Sequence, residues 1–520
     1  MENRTTRRVC VLALVLLGIV LRAWSFQWND RLQGDVGLFA LTAREFVESG
    51  ALAYPIKYEY SDRVAYCGRR SVASQHPPLF PLLAGVGGRL LATDDTFVLL
   101  KLLAAMGGLA LLAVFAARAL RPRAAGAIAG LALLAVAPML VDFSANGSPY
   151  VWSGLLLLIA TILVGRVGDG RAKDFVLAGL LSGLAPQVHS ALWAVPAAFL
   201  VVGALQYRRV PLRCALAFGA TALFALAPWV VWSLKHFGAP FYSYEPHVHW
   251  TNLGLAREGI FDGVVTWRWV EPVWSDVIAT LVGTAAETGG RMVHGLWVDG
   301  GPGAMVLALV GILVPFGVFR LRVLSLLPAV AYLLLVLTLP FRDRFVVPLL
   351  PLYYLAAGSG FAALWYGGRR VLGAAAVGAA LLWMVPAYTE SPRTRYYAND
   401  VRHRDAYAAM LPVARRFATL RPGPTLGYTA TLDGGIAAAY HHRHPLIRGR
   451  SQGLPWEERR GDVVRKLARD FGVRYVWADR LTMDDVEDWF PDGRTVLDNG
   501  AFFVVELPKR GAGPIGVCVP

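Results

Sequence analysis

Charged residues and cysteines are both scarce in this sequence. Only 17% of its 520 residues are charged and 56% are hydrophobic, whereas about a quarter of the residues in a soluble protein are charged. The four cysteines are too few and too widely spaced for a disulfide framework or a zinc site. These shortages exclude a small disulfide-rich domain and indicate a chain whose solvent is largely lipid.

The common motifs of soluble enzymes are absent as well. The chain has no Walker motif, nucleophile elbow or paired Cys-x-x-Cys, so ATP-driven transport and zinc chemistry have no support. The net charge of +15 could suggest a nucleic-acid partner. Much of that excess is arginine between apolar runs, which membrane topology explains better, so we expect no nucleic acid.

Apolar runs of about 18 or more residues recur along most of the chain, which is typical of a polytopic membrane protein. The first run follows three arginines and resembles a signal peptide, but no small-x-small cleavage site follows it, so we expect an uncleaved helix. Eleven spans are predicted, at about 9–26, 97–117, 124–141, 149–165, 174–187, 189–206, 212–234, 303–319, 323–340, 345–366 and 371–388.

Arginine clusters between these spans predict the orientation. With the amino terminus inside, every inner loop carries a basic cluster, as the positive-inside rule requires. Counting 76–92 as a further span would move most clusters outside, so this short segment is interpreted as a juxtamembrane or re-entrant helix. We therefore expect a multi-pass protein of the cytoplasmic membrane with its amino terminus inside.

Two large parts of the chain then lie outside. We predict a transmembrane domain at 1–388, with outer loops at 27–96 and 235–302. The tail at 389–520 is charged and rich in turn residues, which predicts a small extracytoplasmic α/β domain. Its expected strands lie at 425–429, 473–478 and 501–507. Cys67 and Cys518 both fall outside, and the sequence leaves open whether they pair.

The stretch at 34–83, directly after the first span, carries the most suggestive residues. Asp35 lies between glycines before a predicted amphipathic helix, and His76 precedes two prolines. A carboxylate at a membrane surface can act as a general base, although capping a helix is the commoner role of such an acid. A protonated His76 can stabilise a leaving phosphate, and an exposed polar residue is the equally weighted alternative.

Arginines on the predicted outer side suggest an anionic ligand. Arg63 and Arg69 make an outer loop basic against the topological trend, which fits a lipid phosphate or contact with anionic headgroups. Arg342 and Arg344 flank Asp343 at the outer start of a span. An arginine there opposes the helix dipole, so a bound phosphate is favoured over an Arg–Asp surface pair.

Four further polar residues are predicted at or near the outer face, where they line a cavity or provide turn chemistry at helix ends. They are Asp142, Asn146, Ser148 and His189. His247 and His249 lack a strong zinc spacing, so no metal site is predicted and a requirement for a divalent cation is left open.

The motif at 34–50 and the later His76-Pro-Pro-Leu79 resemble the lipid-linked-sugar glycosyltransferases of the GT-C superfamily. The similar branch contains protein O-mannosyltransferases and the aminoarabinose transferase of lipid A. The family pattern is an acid pair after the first helix, an amphipathic helix, and Lys-Pro-Pro. The segments 232–240 and 343–351 also resemble the family.

The resemblance implies a membrane glycosyltransferase with a GT-C fold that uses a polyprenyl-phosphate sugar donor and a lipid, glycan or protein acceptor, with inversion. Asp35 matches the first acid, the proposed base, whereas Val36 replaces the second. His76 stands where the family often has a phosphate-contacting lysine, and Ser148 rather than Asp142 matches a later acid. A transporter or flippase is the alternative, although the spans carry few of the ionisable residues that it would need.

Overall fold

The structure is a computed structural model. It describes residues 4–28, 34–54, 56–58, 71–72, 77–122, 124–167, 171–205, 210–237, 240, 255–261, 264–313, 323–339, 343–389, 409–410, 412–417, 419–421, 423, 425–429, 446–450, 461, 464–465, 468–469 and 472–508.

Helices dominate the described residues. In chain order they are α1 (Arg4–Trp28), α2 (Gly34–Ser49), α3 (Leu79–Leu90), α4 (Thr96–Ala119), α5 (Ala125–Val136), α6 (Pro138–Phe143), α7 (Tyr150–Val167), α8 (Ala172–Val188), α9 (Ala194–Leu205), α10 (Leu212–Phe237), α11 (Trp274–Leu313), α12 (Leu327–Val336), α13 (Leu350–Tyr366), α14 (Arg370–Met384) and α15 (Met483–Trp489).

The described residues also include ten short strands. They are β1 (Ala53–Tyr54), β2 (Ile56–Tyr58), β3 (Ser71–Val72), β4 (Ala256–Phe261), β5 (Val264–Trp269), β6 (Thr425–Thr429), β7 (Leu446–Arg450), β8 (Tyr475–Asp479), β9 (Arg494–Asp498) and β10 (Phe502–Glu506).

Many of the helices are apolar enough for a membrane. Among the described residues, 6 helices have the length and composition to cross a membrane. Shorter apolar helices such as α5, α7 and α12 coincide with other predicted spans. The short helix α3 lies where a re-entrant helix is predicted. The prediction of a polytopic helical membrane protein is confirmed.

The helix α11 extends into the predicted outer loop at 235–302. It begins at Trp274 and runs for 40 residues through a break at Gly301, where φ is 66° and ψ is −177°. A Cβ atom at Gly301 would lie 2.4 Å from Trp383 Cγ, so the break requires glycine. The predicted span at 303–319 therefore starts just after this break, and the preceding residues are helical rather than a loop.

The described residues form two compact units. The first lies within Met1–Asp30, Lys101–Val230 and Ile278–Tyr396, and the second within Arg31–Leu100, Val231–Val277 and Tyr397–Pro520. In the first unit α5 packs closely against α13, since a Cβ atom at Gly126 would lie 2.3 Å from the carbonyl oxygen of Gly358. Such small residues allow membrane helices to approach at backbone distance.

In the second unit α2 packs against α3 and is more buried than the sequence predicts. Every residue from 38 to 45 is buried, so this part of the helix has no exposed face. A Cβ atom at Gly88 would lie 2.5 Å from Val47 Cγ2, and the hydroxyl of Thr96 donates to the carbonyl oxygen of Ala40 at 2.7 Å. Close packing on α3 and α4 therefore covers faces that the charge pattern suggested were exposed.

A six-stranded sheet also belongs to the second unit, in the order β2-β7-β6-β8-β10-β9. The strands β2, β7, β6 and β8 are parallel, and β10 pairs antiparallel with β8 and β9. The strands predicted in the tail coincide with β6, β8 and β10, which confirms a small carboxy-terminal sheet. The edge strand β2 comes instead from the loop after α2, so the sheet joins distant parts of the chain.

Candidate active site

The residues nearest the amino terminus are only partly described. Asp35 is the second residue of α2, and its side chain lies outside the described residues. Four other predicted residues lie entirely outside the described residues: His76, Arg63, Arg69 and, later in the chain, Arg342. The predicted base and these predicted phosphate ligands therefore stay predictions.

The first unit brings two predicted residues together around Tyr150, a buried tyrosine at the start of α7. The guanidinium carbon of Arg344 lies 5.8 Å from the centre of the Tyr150 ring, in range of a cation–π interaction. The His189 ring lies 4.9 Å from the same ring, centre to centre, at an interplanar angle of 61°. We call Tyr150, His189 and Arg344 the basic cluster. It combines the first residue of α7 with one residue from the connection between α8 and α9 and one from the connection between α12 and α13.

Ser148 lies beside this cluster in sequence, two residues before Tyr150. Its backbone N–H donates to Asn146 Oδ1 at 2.9 Å, and Gly147 between them has a φ of 81°. Asn146 therefore provides turn chemistry, which is the alternative that the sequence left open. The Ser148 side chain is 2% exposed, and its hydroxyl has no hydrogen-bond partner among the described residues. A buried hydroxyl without a partner is costly, which is a reason to expect a ligand or water there.

Asp142 lies on the short helix α6 and is 4% exposed. Its Oδ1 accepts a hydrogen bond from the hydroxyl of Ser25 on α1 at 3.0 Å, and Ser25 is itself fully buried. A buried carboxylate needs hydrogen-bond donors of this kind, because burying a polar group without a partner is costly. The predicted cavity-lining residue is therefore a buried acid held by the first membrane helix.

The carbonyl groups at the end of α5 are bonded by two side chains from distant helices. Arg22 on α1 donates to the carbonyl oxygens of Ala135 at 3.2 Å and Leu134 at 3.4 Å. The hydroxyl of Tyr388 donates to the carbonyl oxygen of Val136 at 2.7 Å. The last carbonyls of a helix lack partners within the helix, and in lipid they need them from elsewhere. Arg22 thus serves as a helix cap.

Sequence reasoning missed Tyr150 and Arg22 as members of this region. Tyr150 begins an apolar span and has no charge or motif to distinguish it. Arg22 is a single ionisable residue near the end of a span, and the sequence does not indicate what it binds. Within the described residues there is also no group of three metal-ligating side chains, so the structure supplies no candidate metal site there.

Comparison with solved structures identifies the fold. No family model matches the sequence, and no curated protein is similar to it in sequence. The structure is similar to that of ArnT from Cupriavidus metallidurans in the apo state, with a TM-score of 0.59 and 17% identity over 97% of this chain and 99% of ArnT. It is also similar to that of ArnT from Cupriavidus metallidurans bound to undecaprenyl phosphate, with a TM-score of 0.60 and 17% identity over 97% of this chain and 99% of ArnT.

The chain has the GT-C fold. A more distant similarity is that to the oligosaccharyltransferase of Archaeoglobus fulgidus in complex with Zn and sulfate, with a TM-score of 0.50 and 14% identity over 92% of this chain and 68% of that one. The GT-C fold predicted from the two short motifs is thus confirmed over almost the whole chain.

Proposed function

We propose that this protein is an integral-membrane glycosyltransferase that transfers a sugar from a polyprenyl-phosphate donor to an acceptor hydroxyl. The observation that carries the proposal is the GT-C fold, shared over 97% of the chain with an ArnT structure that holds undecaprenyl phosphate. The described chain adds a basic cluster suited to a phosphate. Transfer takes place at the outer face of the cytoplasmic membrane, with the amino terminus inside and the tail domain outside.

The reaction is a single displacement at the anomeric carbon. Asp35 removes the proton of the acceptor hydroxyl as its oxygen forms a bond to that carbon. The bond from the same carbon to the phosphate oxygen breaks, and polyprenyl phosphate leaves with the bonding electrons. Because the acceptor attacks opposite the leaving group, the configuration inverts. The products are the glycosylated acceptor and polyprenyl phosphate, with the proton on Asp35.

The basic residues stabilise the charge of the leaving phosphate. Arg344 is half-buried, and a guanidinium bonds a phosphate through paired N–H donors. We assign the same role to His76, Arg63, Arg69 and Arg342, from the sequence resemblance. In a site of low polarity each such charge counts for more than it would in water.

The buried polar residues near Tyr150 line the site. The hydroxyl of Ser148, which has no hydrogen-bond partner among the described residues, and the imidazole of His189 are suited to bond sugar hydroxyls or phosphate oxygens. Asp142 is an acceptor for a sugar hydroxyl. The acceptor substrate is a lipid, a glycan or a protein. A divalent cation is not required by any step of this proposal.

A transporter or flippase for a lipid-linked precursor is the alternative, and the described charges within the spans do not favour it. Transport sites use ionisable residues at the middle of the membrane. Lys101 Nζ, by contrast, donates to the carbonyl oxygen of Phe26 at 2.5 Å and lies 4.1 Å from the Phe26 ring centre. Like Arg22, it binds at the end of a helix and contributes to the fold.

The test replaces Asp35 by Asn in the full-length protein in nanodiscs. Asn caps a helix as well as Asp does, so a capping role predicts an unchanged melting temperature and unchanged transfer. A base role predicts loss of transfer by at least about a hundredfold with the melting temperature unchanged. Transfer is measured by mass spectrometry, first of cell-envelope glycans to find the donor and acceptor and then with synthetic polyprenyl-phosphate sugars.

The matched control is Asp95→Asn. Asp95 is an exposed acid at the start of α4, where its Oδ1 accepts the N–H of Val98 at 3.2 Å. This variant is expected to keep wild-type transfer. Full activity of Asp35→Asn would refute the assignment of the base. No transfer by the wild-type protein from any polyprenyl-phosphate sugar would refute the function itself.

A further inference from the structure

The helical conformation is interrupted between α5 and α6, in a fully buried region of the first unit. Ala137 has extended dihedral angles, φ −62° and ψ 113°, and Pro138 opens α6. Ala135, Ala137 and Leu140 are all 0% exposed. Backbone groups freed by a helix break in a dry environment must find other partners, or the break would not persist.

Asp299 is the partner of the freed amide at the start of α6. Its Oδ1 accepts the backbone N–H of Met139 at 2.7 Å, and its Oδ2 accepts the hydroxyl of Tyr354 at 2.6 Å. The side chain is 1% exposed. A carboxylate in this place also complements the positive end of the helix dipole. Both oxygens of this buried acid are thus committed to fixed donors.

The position of Asp299 is itself constrained by the helix break in α11. Asp299 lies two residues before Gly301, and the indole N–H of Trp383 donates to the adjacent carbonyl oxygen of Val298 at 3.1 Å. A Cβ atom at Gly301 would collide with the same indole. The carboxylate of Asp299 is therefore held by Tyr354 of α13, and the backbone next to it is held by Trp383 of α14.

One helical turn separates Met139 from Asp142. A helix of six residues is not stable without external contacts, so its orientation depends on what holds its ends. Asp299 holds the first turn of α6 and Ser25 holds Asp142 itself. We propose that Asp299 is a positioning residue that fixes α6 and thereby aims the Asp142 carboxylate at the substrate. This inference rests on the proposed function, since it gives Asp142 a part in sugar transfer.

The test is a double-mutant cycle for kcat between Asp299→Asn and Asp142→Asn. Asn retains the shape of Asp299 but loses the charge, so kcat is expected to fall by about tenfold, with KM changed by less than about twofold. If Asp299 acts through Asp142, adding Asp299→Asn to the Asp142→Asn variant causes no further loss. Additive losses, or full activity of Asp142→Asn, would overturn the proposal.

Tyr354→Phe provides a milder variant and Tyr353→Phe its matched control. The first removes one hydrogen bond to Asp299 and leaves that of Met139 in place. The second removes a hydroxyl that has no hydrogen-bond partner among the described residues. We expect kcat to be lower for Tyr354→Phe than for the wild type, and unchanged for Tyr353→Phe. If Asp299→Asn does not fold, the cycle is run with Tyr354→Phe instead.

A second measurement is independent of sugar transfer. Hydrogen–deuterium exchange of the amides at 139–145 should be faster in Asp299→Asn and Tyr354→Phe than in the wild type, and unchanged in Tyr353→Phe. Unchanged exchange in Asp299→Asn would overturn the role of Asp299 in fixing α6. Absence of transfer by the wild type would instead refute the proposed function, and the exchange result would still decide whether Asp299 holds the helix.

Discussion

Replacing Arg344 tests the basic cluster. In Arg344→Gln the side chain keeps much of its length but loses the charge and the contact with the face of Tyr150. At an effective dielectric constant near 20, two charges about 4 Å apart interact by about 4 kcal/mol, and the cation–π contact contributes about 0.5–2 kcal/mol to holding the guanidinium in place. Because Arg344 is half-buried, part of this is screened by solvent.

A loss of about 3 kcal/mol corresponds to a fall in kcat/KM of roughly a hundredfold. Arg344→Lys keeps the charge without the paired N–H donors, so an intermediate loss of about tenfold is expected. The assay measures transfer from a synthetic polyprenyl-phosphate sugar in nanodiscs, together with the affinity for polyprenyl phosphate alone. Both the affinity and the rate should decrease, since the residue contacts the phosphate before and after transfer.

Arg291→Gln is the matched control for this variant. Arg291 also belongs to the first unit, but its ion pair with Glu287, 3.0 Å long, joins side chains that are 59% and 63% exposed. Such a surface pair contributes at most about 1 kcal/mol, and its loss should leave transfer unchanged. If Arg344→Gln binds polyprenyl phosphate as the wild type does and transfers sugar at more than half its rate, Arg344 is not a phosphate ligand.

Two further predictions concern stability. Gly301→Ala should destabilise the fold by about 2–4 kcal/mol, because it adds the strain of a positive φ to a collision with Trp383, and the additional change Trp383→Leu should recover part of the loss in melting temperature. Two hydrogen bonds from Arg474, 3.1 and 2.7 Å long, hold the pKa of the Glu506 carboxyl below its ordinary value of 4.5. A carboxyl whose pKa is lowered on folding stabilises the folded state at pH values above its ordinary pKa. This stabilisation is lost as the pH falls through the pKa of the folded state. The free energy of unfolding of the wild type should therefore exceed that of Glu506→Gln by about 1 kcal/mol near pH 7, and this difference should disappear in acid. A difference that persists in acid would refute the assignment.

Features that depend on neighbouring residues were predictable. Apolar runs, basic clusters between them and the change of composition near residue 389 are local signals, and they were enough to predict a polytopic membrane protein with an α/β domain. The strands β6, β8 and β10 follow from short runs of apolar and β-branched residues between turn signals. For Asn146 the sequence left open a cavity-lining role and a turn role, and the hydrogen bond from the Ser148 N–H supports the turn.

Features that depend on contacts between distant residues were not predictable. The charge pattern of α2 suggested an exposed face, and only its packing partners show that residues 38–45 are buried. Nothing in the short strand β2 indicates that it pairs with β7, nearly four hundred residues later.

The same division applies to the candidate site. The sequence by itself determined which residue types are available, including Asp35, His76 and Arg344, and the family whose motifs they resemble. Only the tertiary structure placed Arg344 and His189 around Tyr150 and joined Asp299 to the helix of Asp142. The physical reason is that hydrophobic periodicity is a property of adjacent residues, whereas a buried polar group is defined by the donors and acceptors that folding brings to it.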